Sequence, residues 1–420
     1  MTLFNVLGFP PALLPAILKA VGDSGYSETT AIQAAAIPAI LQGQDVLACS
    51  QTGSGKTAAF ALPLLALLAN RQANPQRKRS VAALVLVPTR ELAVQVGAVL
   101  VGFGKYVPQP AKVAVVFGGV SINPQMMHLR GGADIVVATP GRLIDLVEHN
   151  ALDLGKVNFL VLDEADKLLD LGFADELARI LALLPAKRQN TLFSATFAPA
   201  VDALASRLLS NPVRIEIHSE PETALVIVQR AIEVDAARRT QLLRHLVQNE
   251  KWTRVLVFVA TKHAAEIVAD KLRKADINAE PFHGELSQGK RTQVLMDFKA
   301  SAVQVVVATD VAARGLDITA LPVVVNYDLP RSAVDYTHRI GRTGRAGLSG
   351  MAISFISAAT DAHFKLIEKR HAVKVHREQV AGFEPVEVAP VNTADPLGTG
   401  GVKGKRPSKK DKLRGANLAV

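Results

Sequence analysis

The chain has 420 residues, and its 48 Lys and Arg outnumber 38 Asp and Glu, so the formal net charge is +10. At roughly 150 residues per domain, this length predicts two or three domains. Hydrophobic residues make up 49% and charged residues 20%, which is enough apolar material for real cores and excludes a largely disordered chain. The single cysteine, Cys49, excludes an intramolecular disulfide and any cysteine-built zinc or iron–sulfur site, and it suits a reducing compartment.

No segment of the sequence is suited to crossing a membrane. The longest apolar stretch, residues 60–69, has ten residues and contains Pro63, whereas a transmembrane helix needs about 20. The N-terminus is apolar, but its first basic residue is Lys19, so it lacks the charged region of a signal peptide. We therefore expect a cytoplasmic protein with no membrane partner.

Short runs of Val, Ile and Leu recur along the chain, separated by Ala- and Leu-rich stretches of helical periodicity. Runs without polar alternation are typical of strands buried on both faces of a parallel sheet, and the stretches between them are typical of crossover helices. The predicted strands are residues 45–49, 81–87, 112–117, 134–138, 157–163 and 191–193 in the first half, and 254–259, 303–308, 322–326 and 351–356 in the second.

This pattern divides the chain into two α/β domains, each a parallel sheet covered by helices. Domain 1 is predicted over residues 1–213 and domain 2 over 225–375. A linker is predicted at 214–224, where Pro221 and neighbouring polar residues interrupt the pattern. From 376 to 420 the sequence is rich in Pro, Gly and Lys and loses its periodicity, which predicts a flexible tail.

The tail is strongly basic at residues 402–414, where seven basic residues accompany one acidic residue. A basic balance favours a polyanionic partner such as nucleic acid. Two interpretations of this segment stay open. It either tethers RNA through salt-dependent phosphate contacts, or it is a solvated end without a specific role.

A phosphate-binding loop is predicted at residues 50–57, SQTGSGKT, because this segment follows a predicted strand and precedes a predicted helix. Gly53 and Gly55 allow backbone N–H groups to turn toward a polyphosphate. Lys56 would reach the β- and γ-phosphates, and Thr57 would ligate Mg²⁺. A glycine-rich loop without a ligand is the alternative. The other loop residues expected to contact the nucleotide are Gln51, Thr52 and Ser54.

The tetrapeptide DEAD at residues 163–166 directly follows another predicted strand. In phosphate-loop proteins this is the position of the carboxylate that holds Mg²⁺. Asp163 would hold the metal through water, and Glu164 would orient or deprotonate the attacking water. An acidic first turn of a helix is the alternative for the tetrapeptide alone. Beside a phosphate loop, the catalytic interpretation is favoured.

The second half has no phosphate loop of its own, but it carries three arginines in HRIGRTGR at residues 338–345. Guanidinium groups suit the spread charge of a transferring phosphoryl group, and donors supplied from another domain act as fingers. A solvated basic face and a plain RNA contact are the alternatives. Together with the loop in domain 1, this cluster predicts ATP bound between the two domains.

In their order along the chain, these motifs resemble those of the DEAD-box family of ATP-dependent RNA helicases. The resemblance covers about residues 1–375 and is most similar to the short bacterial type. Its motifs are SQTGSGKT (50–57), PTRELA (88–93), GG (118–119), TPGR (139–142), DEAD (163–166), SAT (194–196), LVF (256–258), HG (283–284), QxxR (288–291), TD (309–310), ARGLD (313–317) and HRIGRTGR (338–345).

The resemblance implies two tandem RecA-like domains that bind ATP and Mg²⁺ between them. It implies RNA-stimulated ATP hydrolysis coupled to domain closure, local unwinding of short RNA duplexes and remodelling of RNA–protein complexes. The contacts with RNA would be to its backbone and independent of sequence. We expect a monomer whose protein partners act in ribosome assembly or RNA decay.

The family's roles carry over to the residues at matching positions. Gln33 would read the adenine, and an aromatic upstream would stack on it, with Phe4 as the choice and Phe9 as its competitor. The resemblance implies nucleotide contacts from domain 2 by Gly315 and Asp317, fingers at Arg342 and Arg345, and coupling residues at Ser194 and Thr196. It implies RNA contacts by Pro88, Thr89, Arg90, Gly119, Thr139, Arg142, Arg291 and Thr309.

Two other functions fit parts of the sequence. A DNA helicase or translocase could be built on the same tandem domains, and DNA-stimulated turnover would reveal it. An ATP-gated RNA clamp or assembly scaffold without catalysis is the other. A pure scaffold has no need to keep the full catalytic set of Lys56, Asp163, Glu164, Arg342 and Arg345.

Overall fold

A computed structural model of the protein describes residues 3–51, 53–69, 79–217, 227–313, 321–344 and 350–387. These residues form two parallel sheets of seven strands, and helices pack on both faces of each sheet. This arrangement confirms the predicted fold class. Across these described stretches, no helix combines the length and the apolar character that a membrane span requires.

The strands of domain 1 are β1 (Val46–Cys49), β2 (Ala83–Leu86), β3 (Val113–Val116), β4 (Ile135–Ala138), β5 (Phe159–Leu162), β6 (Gln189–Ser194) and β7 (Val213–Glu216). They pair in parallel in the order β3-β4-β2-β5-β6-β1-β7. Its helices are α1 (Leu14–Asp23), α2 (Ala31–Leu41), α3 (Lys56–Ala69), α4 (Arg90–Gly104), α5 (Asn123–Leu129), α6 (Pro140–Glu148), α7 (Ala165–Asp170), α8 (Ala174–Leu183) and α9 (Pro199–Leu208), with a short 3₁₀ helix at Phe4–Val6.

The strands of domain 2 are β8 (Ile227–Glu233), β9 (Val255–Val259), β10 (Ala279–Phe282), β11 (Val305–Thr309), β12 (Val323–Asn326), β13 (Gly350–Ile356) and β14 (Arg377–Glu378). They pair in parallel in the order β10-β11-β9-β12-β13-β8-β14. Its helices are α10 (Arg239–Asn249), α11 (Lys262–Arg273), α12 (Gln288–Lys299), α13 (Asp310–Ala313), α14 (Ala333–Ile340) and α15 (Asp361–His371), with a 3₁₀ helix at Ala236–Arg238.

Both sheets are buried on two faces, as their continuous apolar strands predict. In β1, Val46 and Ala48 belong to the core cluster on one face, while Leu47 belongs to the cluster on the other. All three side chains are at most 2% exposed. Because successive side chains of a strand point to opposite faces, such a strand has to be apolar at every position.

The structure moves both expected domain boundaries. Residues 214–216, expected to lie at the start of the linker, belong to β7, which pairs with β1, so domain 1 extends beyond residue 213. The remainder of the expected linker, from residue 218, lies outside the described residues. The sequence suggested no strand at β7 because its polar Arg214 and Glu216 alternate with apolar residues, as an edge strand allows.

Residues 376–387, expected to begin a flexible tail, pack against domain 2 and are called the C-terminal strap below. Strand β14 of the strap pairs with β8, and Phe383 packs against the core with the Arg238 guanidinium 5.2 Å from its ring centre. The backbone N–H groups of Val386 and Glu387 donate to the Asp235 carboxylate at 3.0–3.1 Å. The strap is therefore an integral part of domain 2.

Candidate functional site

Three of the predicted motifs meet at the carboxyl edge of the domain 1 sheet. The strands β5, β6 and β1 are neighbours in that order, and the register pairs Cys49 of β1 with Ser194 of β6. The segments SQTGSGKT, DEAD and SAT leave or end these strands at the same edge. In open parallel sheets, this edge is where ligands bind.

The phosphate loop has the backbone that its glycines predict. Gly53 and Gly55 have φ values of +84° and +91°, a region that other residues rarely adopt. A Cβ added at Gly55 would lie 2.4 Å from the Gln33 amide nitrogen, so the loop also needs glycine for space. The Ser50 and Ser54 hydroxyls are 2.7 Å apart and brace the loop across its mouth.

Lys56 is 7% exposed and points back into the phosphate loop. Its ammonium donates to the carbonyl oxygens of Ser50 and Gln51, the latter at 2.9 Å. Burial lowers the pKa of Lys56, and the negative charges of Asp163 and Glu164 oppose this shift. The lysine therefore lies between the loop and the two carboxylates, where a polyphosphate would bind.

Asp163 is 2% exposed at the end of β5, and its carboxylate accepts a hydrogen bond from the Glu164 backbone N–H at 2.9 Å. Burial and then the neighbouring Glu164 carboxylate raise the pKa of Asp163 to about 7, while Lys56 opposes the shift. Two buried carboxylates side by side form a site that a cation would stabilise.

Glu164 begins the short helix α7 from a left-handed backbone with φ +51°. Its Oε1 accepts from the Lys167 ammonium at 2.7 Å, and both residues are buried, at 9% and 4% exposure. Its other oxygen, Oε2, is buried and has no hydrogen-bond partner within the described part of the chain. The carboxylate is thus held through Oε1, while Oε2 keeps its capacity to accept a hydrogen bond.

Ser194 and Thr196 form a compact turn beside the phosphate loop. The Ser194 hydroxyl donates to the Thr196 carbonyl at 2.8 Å, and the Ser194 carbonyl accepts from the Ser50 backbone N–H at 3.1 Å. Ser194 is fully buried. The first residue of the phosphate loop is therefore bonded directly to the SAT segment.

The residues that the resemblance predicts to contact adenine are all buried in domain 1. Gln33 is fully buried, accepts from the Thr30 N–H at 3.0 Å and donates to the Gly55 carbonyl at 3.2 Å, so its amide braces the phosphate loop. Phe4 and Phe9 are 3% and 6% exposed and belong to the domain 1 core, where Phe4 meets Tyr26 edge-on. Neither ring has a free face in this structure, because the core covers both.

A second group of motif residues lies at the carboxyl ends of β2, β3 and β4, which are adjacent in the sheet. Thr89 caps α4 by accepting from the Leu92 N–H at 3.3 Å. Gly119, with φ +76°, lies so close to the Arg90 guanidinium that a Cβ there would meet its nitrogen at 1.9 Å. The predicted contact Pro88 is in the same segment, directly before Thr89.

The TPGR segment completes this edge. The Thr139 hydroxyl accepts from the Gly118 N–H at 3.3 Å, and Pro140 begins α6. Arg142 donates to the Val120 carbonyl at 2.7 Å and is only 7% exposed. Helix N-termini, glycine backbone and arginine at one sheet edge can bind the phosphates of a nucleic acid strand without reading its bases.

In domain 2, Arg339 and Arg342 of the HRIGRTGR segment have different surroundings. Arg339 is 3% exposed and turned into its own domain, where it makes two hydrogen bonds of 2.6 and 2.7 Å to Asp310. It also donates to Asn326 and the Asp328 carbonyl, and its guanidinium carbon lies 4.9 Å from the Phe258 ring centre. Arg339 therefore stabilises domain 2 by bonding several of its segments together.

His338 brings domain 2 close to the DEAD segment of domain 1. Burial lowers the pKa of His338, the Lys167 ammonium lowers it further, and the Asp166 carboxylate opposes them. Arg342 follows in the turn after α14, is 8% exposed and contributes to the same field. The electrostatic environment of His338 thus includes groups from both domains.

Arg291, which the resemblance predicts to contact RNA, has a protein partner in the other domain. Its guanidinium lies 2.8 Å from the Glu91 carboxylate of α4, and both side chains are 5% exposed. It also stacks on Phe282, with 4.8 Å from the guanidinium carbon to the ring centre. This ion pair joins the two domains directly. The other predicted RNA contact of domain 2, Thr309, ends β11.

Several predicted residues lie outside the described part of the chain: Thr52, Gly315, Asp317, Arg345 and the basic segment 402–414. Two residues of the site were missed by the sequence reasoning. Lys167 could have been found from its spacing, since it lies three residues after Glu164 on a predicted helix. Glu91 lies within the PTRELA motif, but its pairing with Arg291 had no sequence signal, because the two residues are 200 positions apart.

The described residues contain no cluster of three or more His, Cys, Asp and Glu side chains that could hold a metal ion by themselves. A site of few protein oxygens completed by phosphates and water is the kind that Mg²⁺ takes with nucleotides. Thr57 and Asp163 offer hydroxyl and carboxylate oxygens of that type beside the phosphate loop.

These features define a class of protein: two tandem RecA-like domains in which a phosphate loop and acidic pair of the first face a histidine–arginine motif of the second. The DEAD/DEAH box helicase family matches residues 30–204, and the helicase conserved C-terminal domain matches residues 238–347.

Curated relatives agree with this class. ATP-dependent RNA helicase DeaD of Mycobacterium tuberculosis is 43% identical over 372 residues, which are 89% of this chain and 64% of DeaD. DEAD-box ATP-dependent RNA helicase CshA of Bacillus cereus is 39% identical over 377 residues, which are 90% of this chain and 70% of CshA. The chain thus spans slightly less than two thirds of the length of DeaD. It belongs to the DEAD-box family of ATP-dependent RNA helicases, as the motifs predicted.

Solved structures extend the similarity to the whole two-domain fold. Dbp5 of S. cerevisiae bound to RNA and ADP BeF3 is 32% identical and superposes with a TM-score of 0.76, covering 90% of this chain and 96% of that one. A Dbp5 variant bound to Nup159, Gle1, IP6 and ADP is 31% identical over the same shares of both chains, with a TM-score of 0.58.

Proposed function

We propose that this protein is an RNA-stimulated ATPase that couples ATP hydrolysis to local separation of short RNA duplexes and to remodelling of RNA–protein complexes. The observation that carries the proposal is the direct contact between the two motif-bearing domains, in which the Arg291 guanidinium of domain 2 lies 2.8 Å from the Glu91 carboxylate of the PTRELA segment in domain 1. A contact of this kind supports chemistry that depends on how the domains are held together.

In the proposed reaction, water attacks the γ-phosphorus of ATP, the bond to the bridging β–γ oxygen breaks, and ADP and phosphate leave. Glu164 would take the proton of the attacking water on Oε2, the oxygen without a hydrogen-bond partner in the described structure. Lys56 would exchange its loop carbonyls for the β- and γ-phosphates, and Arg342, with Arg345 as the second finger, would stabilise the developing charge.

The residues present fit a nucleotide-bound Mg²⁺. Burial and the neighbouring Glu164 carboxylate raise the pKa of Asp163, and a bound divalent cation would offset both effects by stabilising the charged carboxylate. Thr57 and Asp163 would hold the ion, the latter through water, and the ion would neutralise charge on the phosphates.

RNA would bind along the carboxyl edge formed by β2, β3 and β4, with its backbone against the N-termini of α4 and α6. Gly119, Arg90 and Thr139 lie together there and favour phosphate contacts over base reading. Ser194, bonded to the phosphate loop through Ser50, would transmit the nucleotide state to this edge. Gln33 keeps one N–H and one lone pair for adenine after its two internal hydrogen bonds.

Coupling to domain closure is supported by the comparison of two states of Dbp5. The agreement is better with the structure bound to RNA and ADP BeF3, at a TM-score of 0.76, than with the one bound to Nup159, Gle1, IP6 and ADP, at 0.58. The buried Glu91–Arg291 ion pair is a contact that such a closed arrangement would need. We propose that ATP and RNA together stabilise it.

We further propose a cytoplasmic location, which the single free and buried Cys49 suits. The monomeric state and the protein partners in ribosome assembly or RNA decay stay predictions.

The proposal is tested by steady-state ATP hydrolysis with no nucleic acid, with single-stranded RNA and with DNA of the same sequence. We expect RNA alone to stimulate turnover strongly. Equal stimulation by DNA would favour a general nucleic-acid motor. No stimulation by either, with ATP still bound, would favour the clamp or scaffold.

Glu164→Gln is the decisive variant in this assay. We expect ATP affinity to be kept and kcat to fall by about 100-fold or more, because the general base is lost while the phosphate loop is intact. Turnover within a few-fold of the unmodified protein would remove Glu164 from its proposed role. Lys187→Met, a change at an exposed site in the same domain, serves as the control.

A further inference from the structure

The ion pair between Lys167 and Glu164 is a buried contact at the site that the reaction described above does not use. The ammonium lies 2.7 Å from Glu164 Oε1, and the two side chains are 5% and 11% exposed. A charge-assisted hydrogen bond of this length between buried groups restricts the carboxylate far more than a surface ion pair does.

The position of Lys167 is made by the local fold. Glu164 precedes α7 with a left-handed backbone, and Lys167 lies three residues further on, in the first turn of that helix. Residues three apart on a helix face each other, so the ammonium reaches back over the turn to the carboxylate. Only one of the two carboxylate oxygens is taken, and Oε2 remains without a hydrogen-bond partner in the described structure.

A second observation is that the charge of the Lys167 ammonium acts on other groups of the site. Burial lowers the pKa of Lys56 in the phosphate loop and of His338 in domain 2, and the positive charge of Lys167 lowers both further. Lys167 therefore lies among groups that surround the reacting phosphate in the proposed reaction, and its one resolved hydrogen bond goes to Glu164.

We propose that Lys167 is a positioning residue for ATP hydrolysis: it fixes the Glu164 carboxylate through Oε1 and leaves Oε2 directed at the attacking water. The inference rests on the proposed role of Glu164 as the base. Without Lys167, the Glu164 side chain would rotate among several conformers, and the fraction of encounters with a correctly placed base would fall.

The test uses the full chain with Lys167→Met, Lys167→Gln and Lys167→Arg, at saturating RNA. We expect Lys167→Met to lower kcat by about tenfold to 100-fold with the KM for ATP within about twofold, because the base is misplaced while ATP binding is kept. Lys167→Arg should recover most of the rate, and Lys167→Gln, which can donate a hydrogen bond without charge, should lie between them. Lys187→Met is the matched control for loss of one positive charge.

A double-mutant cycle with Glu164→Gln separates positioning from other roles. If Lys167 acts through Glu164, adding Lys167→Met to Glu164→Gln costs no further rate. A further loss equal to that of the single variant, or a matching rise in the KM for ATP, would overturn the inference in favour of a direct phosphate contact. A lower unfolding temperature with unchanged kcat would overturn it in favour of a structural role.

The same measurements distinguish this inference from the proposed function. Glu164→Gln with near-normal turnover would refute the role of Glu164 itself. Glu164→Gln without turnover, combined with normal kcat in Lys167→Met and Lys167→Gln, would refute only the positioning role. If Lys167→Met does not fold, the order of rates for Arg and Gln at this position decides the question.

Discussion

At the scale of single residues, Gly55 links the backbone of the phosphate loop to its support. Its φ of +91° lies in the left-handed region, and a side chain there would meet the Gln33 amide at 2.4 Å. Gln33 in turn donates to the Gly55 carbonyl, so the amide that is expected to read adenine also holds the loop. A change at either residue would therefore alter the shape of the phosphate site.

We predict that Gly55→Ala raises the KM for ATP by about tenfold or more, because a left-handed backbone costs an L-residue roughly 1–2 kcal/mol and the methyl group displaces Gln33. The measurement is ATP titration of turnover at saturating RNA. Gly22→Ala is the control, since Gly22 lies in α1 with no atom within 4 Å of the added methyl group. Equal KM values for the two variants would contradict the prediction.

At the scale of elements, the buried Arg339 connects helices and strands that are far apart in the sequence. Arg339 of α14 bonds to Asp310, which begins α13, and to Asn326, which ends β12. The planar guanidinium satisfies all of these acceptors while stacking on Phe258 of β9. A side chain with fewer donors than arginine could not bond to all of these acceptors at once.

We predict that Arg339→Lys destabilises the protein by about 3 kcal/mol, because lysine cannot make the two parallel bonds to Asp310 and leaves buried acceptors unsatisfied. Urea unfolding measured by circular dichroism gives the free energy. Arg214→Lys makes the same exchange in an exposed ion pair with Asp202 and should cost less than about 0.5 kcal/mol. A cost as small for Arg339→Lys would show that Asp310 pairs equally well with lysine.

The C-terminal strap provides a second prediction at this scale. A chain ending at residue 387 should unfold at the same denaturant concentration as the full chain. A chain ending at 375 should lose about 2 kcal/mol or more, because β14, the Phe383 contact and the Asp235 hydrogen bonds are removed. If both truncated chains match the full protein, the strap adds nothing to domain 2. Leu366→Ala, at an exposed position, is the control for loss of apolar surface.

At the scale of the whole molecule, the two domains are joined by a buried ion pair whose partners lie on helices of different domains. Glu91 follows the Arg90 of the PTRELA segment, and Arg291 lies in the first turn of α12. Burial lowers the pKa of Arg291, and the Glu91 charge opposes this shift. The contact requires both domains to be close, so its free energy stabilises the arrangement of the two domains in this structure.

We predict that Glu91→Gln and Arg291→Gln each raise the RNA concentration for half-maximal ATPase by about tenfold, since each leaves a buried charge unpaired in the closed state. The increase in this RNA concentration for the double variant should be smaller than the product of the increases for the two single variants. Lys262→Gln, which breaks the exposed pair with Glu285, is the control. Strictly multiplicative effects would show that the two residues act independently.

The sequence alone determined the class of fold and the main parts of the site. Strands buried on both faces must be apolar at every position, so the central strands were visible as runs. The phosphate loop and the DEAD segment are each one continuous stretch of sequence, and each directly follows a strand. Their meeting at one sheet edge therefore followed from the parallel topology. The strands that the sequence did not reveal lie at or toward the sheet edges, such as β10 with Glu280 and Pro281.

Only the tertiary structure decided which charged groups face each other. Arg339 and Arg342 lie three residues apart in one motif, yet Arg339 is bonded to Asp310 within domain 2 while Arg342 contributes to the electrostatic field at His338. Arg291 meets Glu91 across 200 residues of chain. Local spacing specifies neighbours on a helix or strand, whereas partners in different domains depend on how the sheets are packed, which no local pattern encodes.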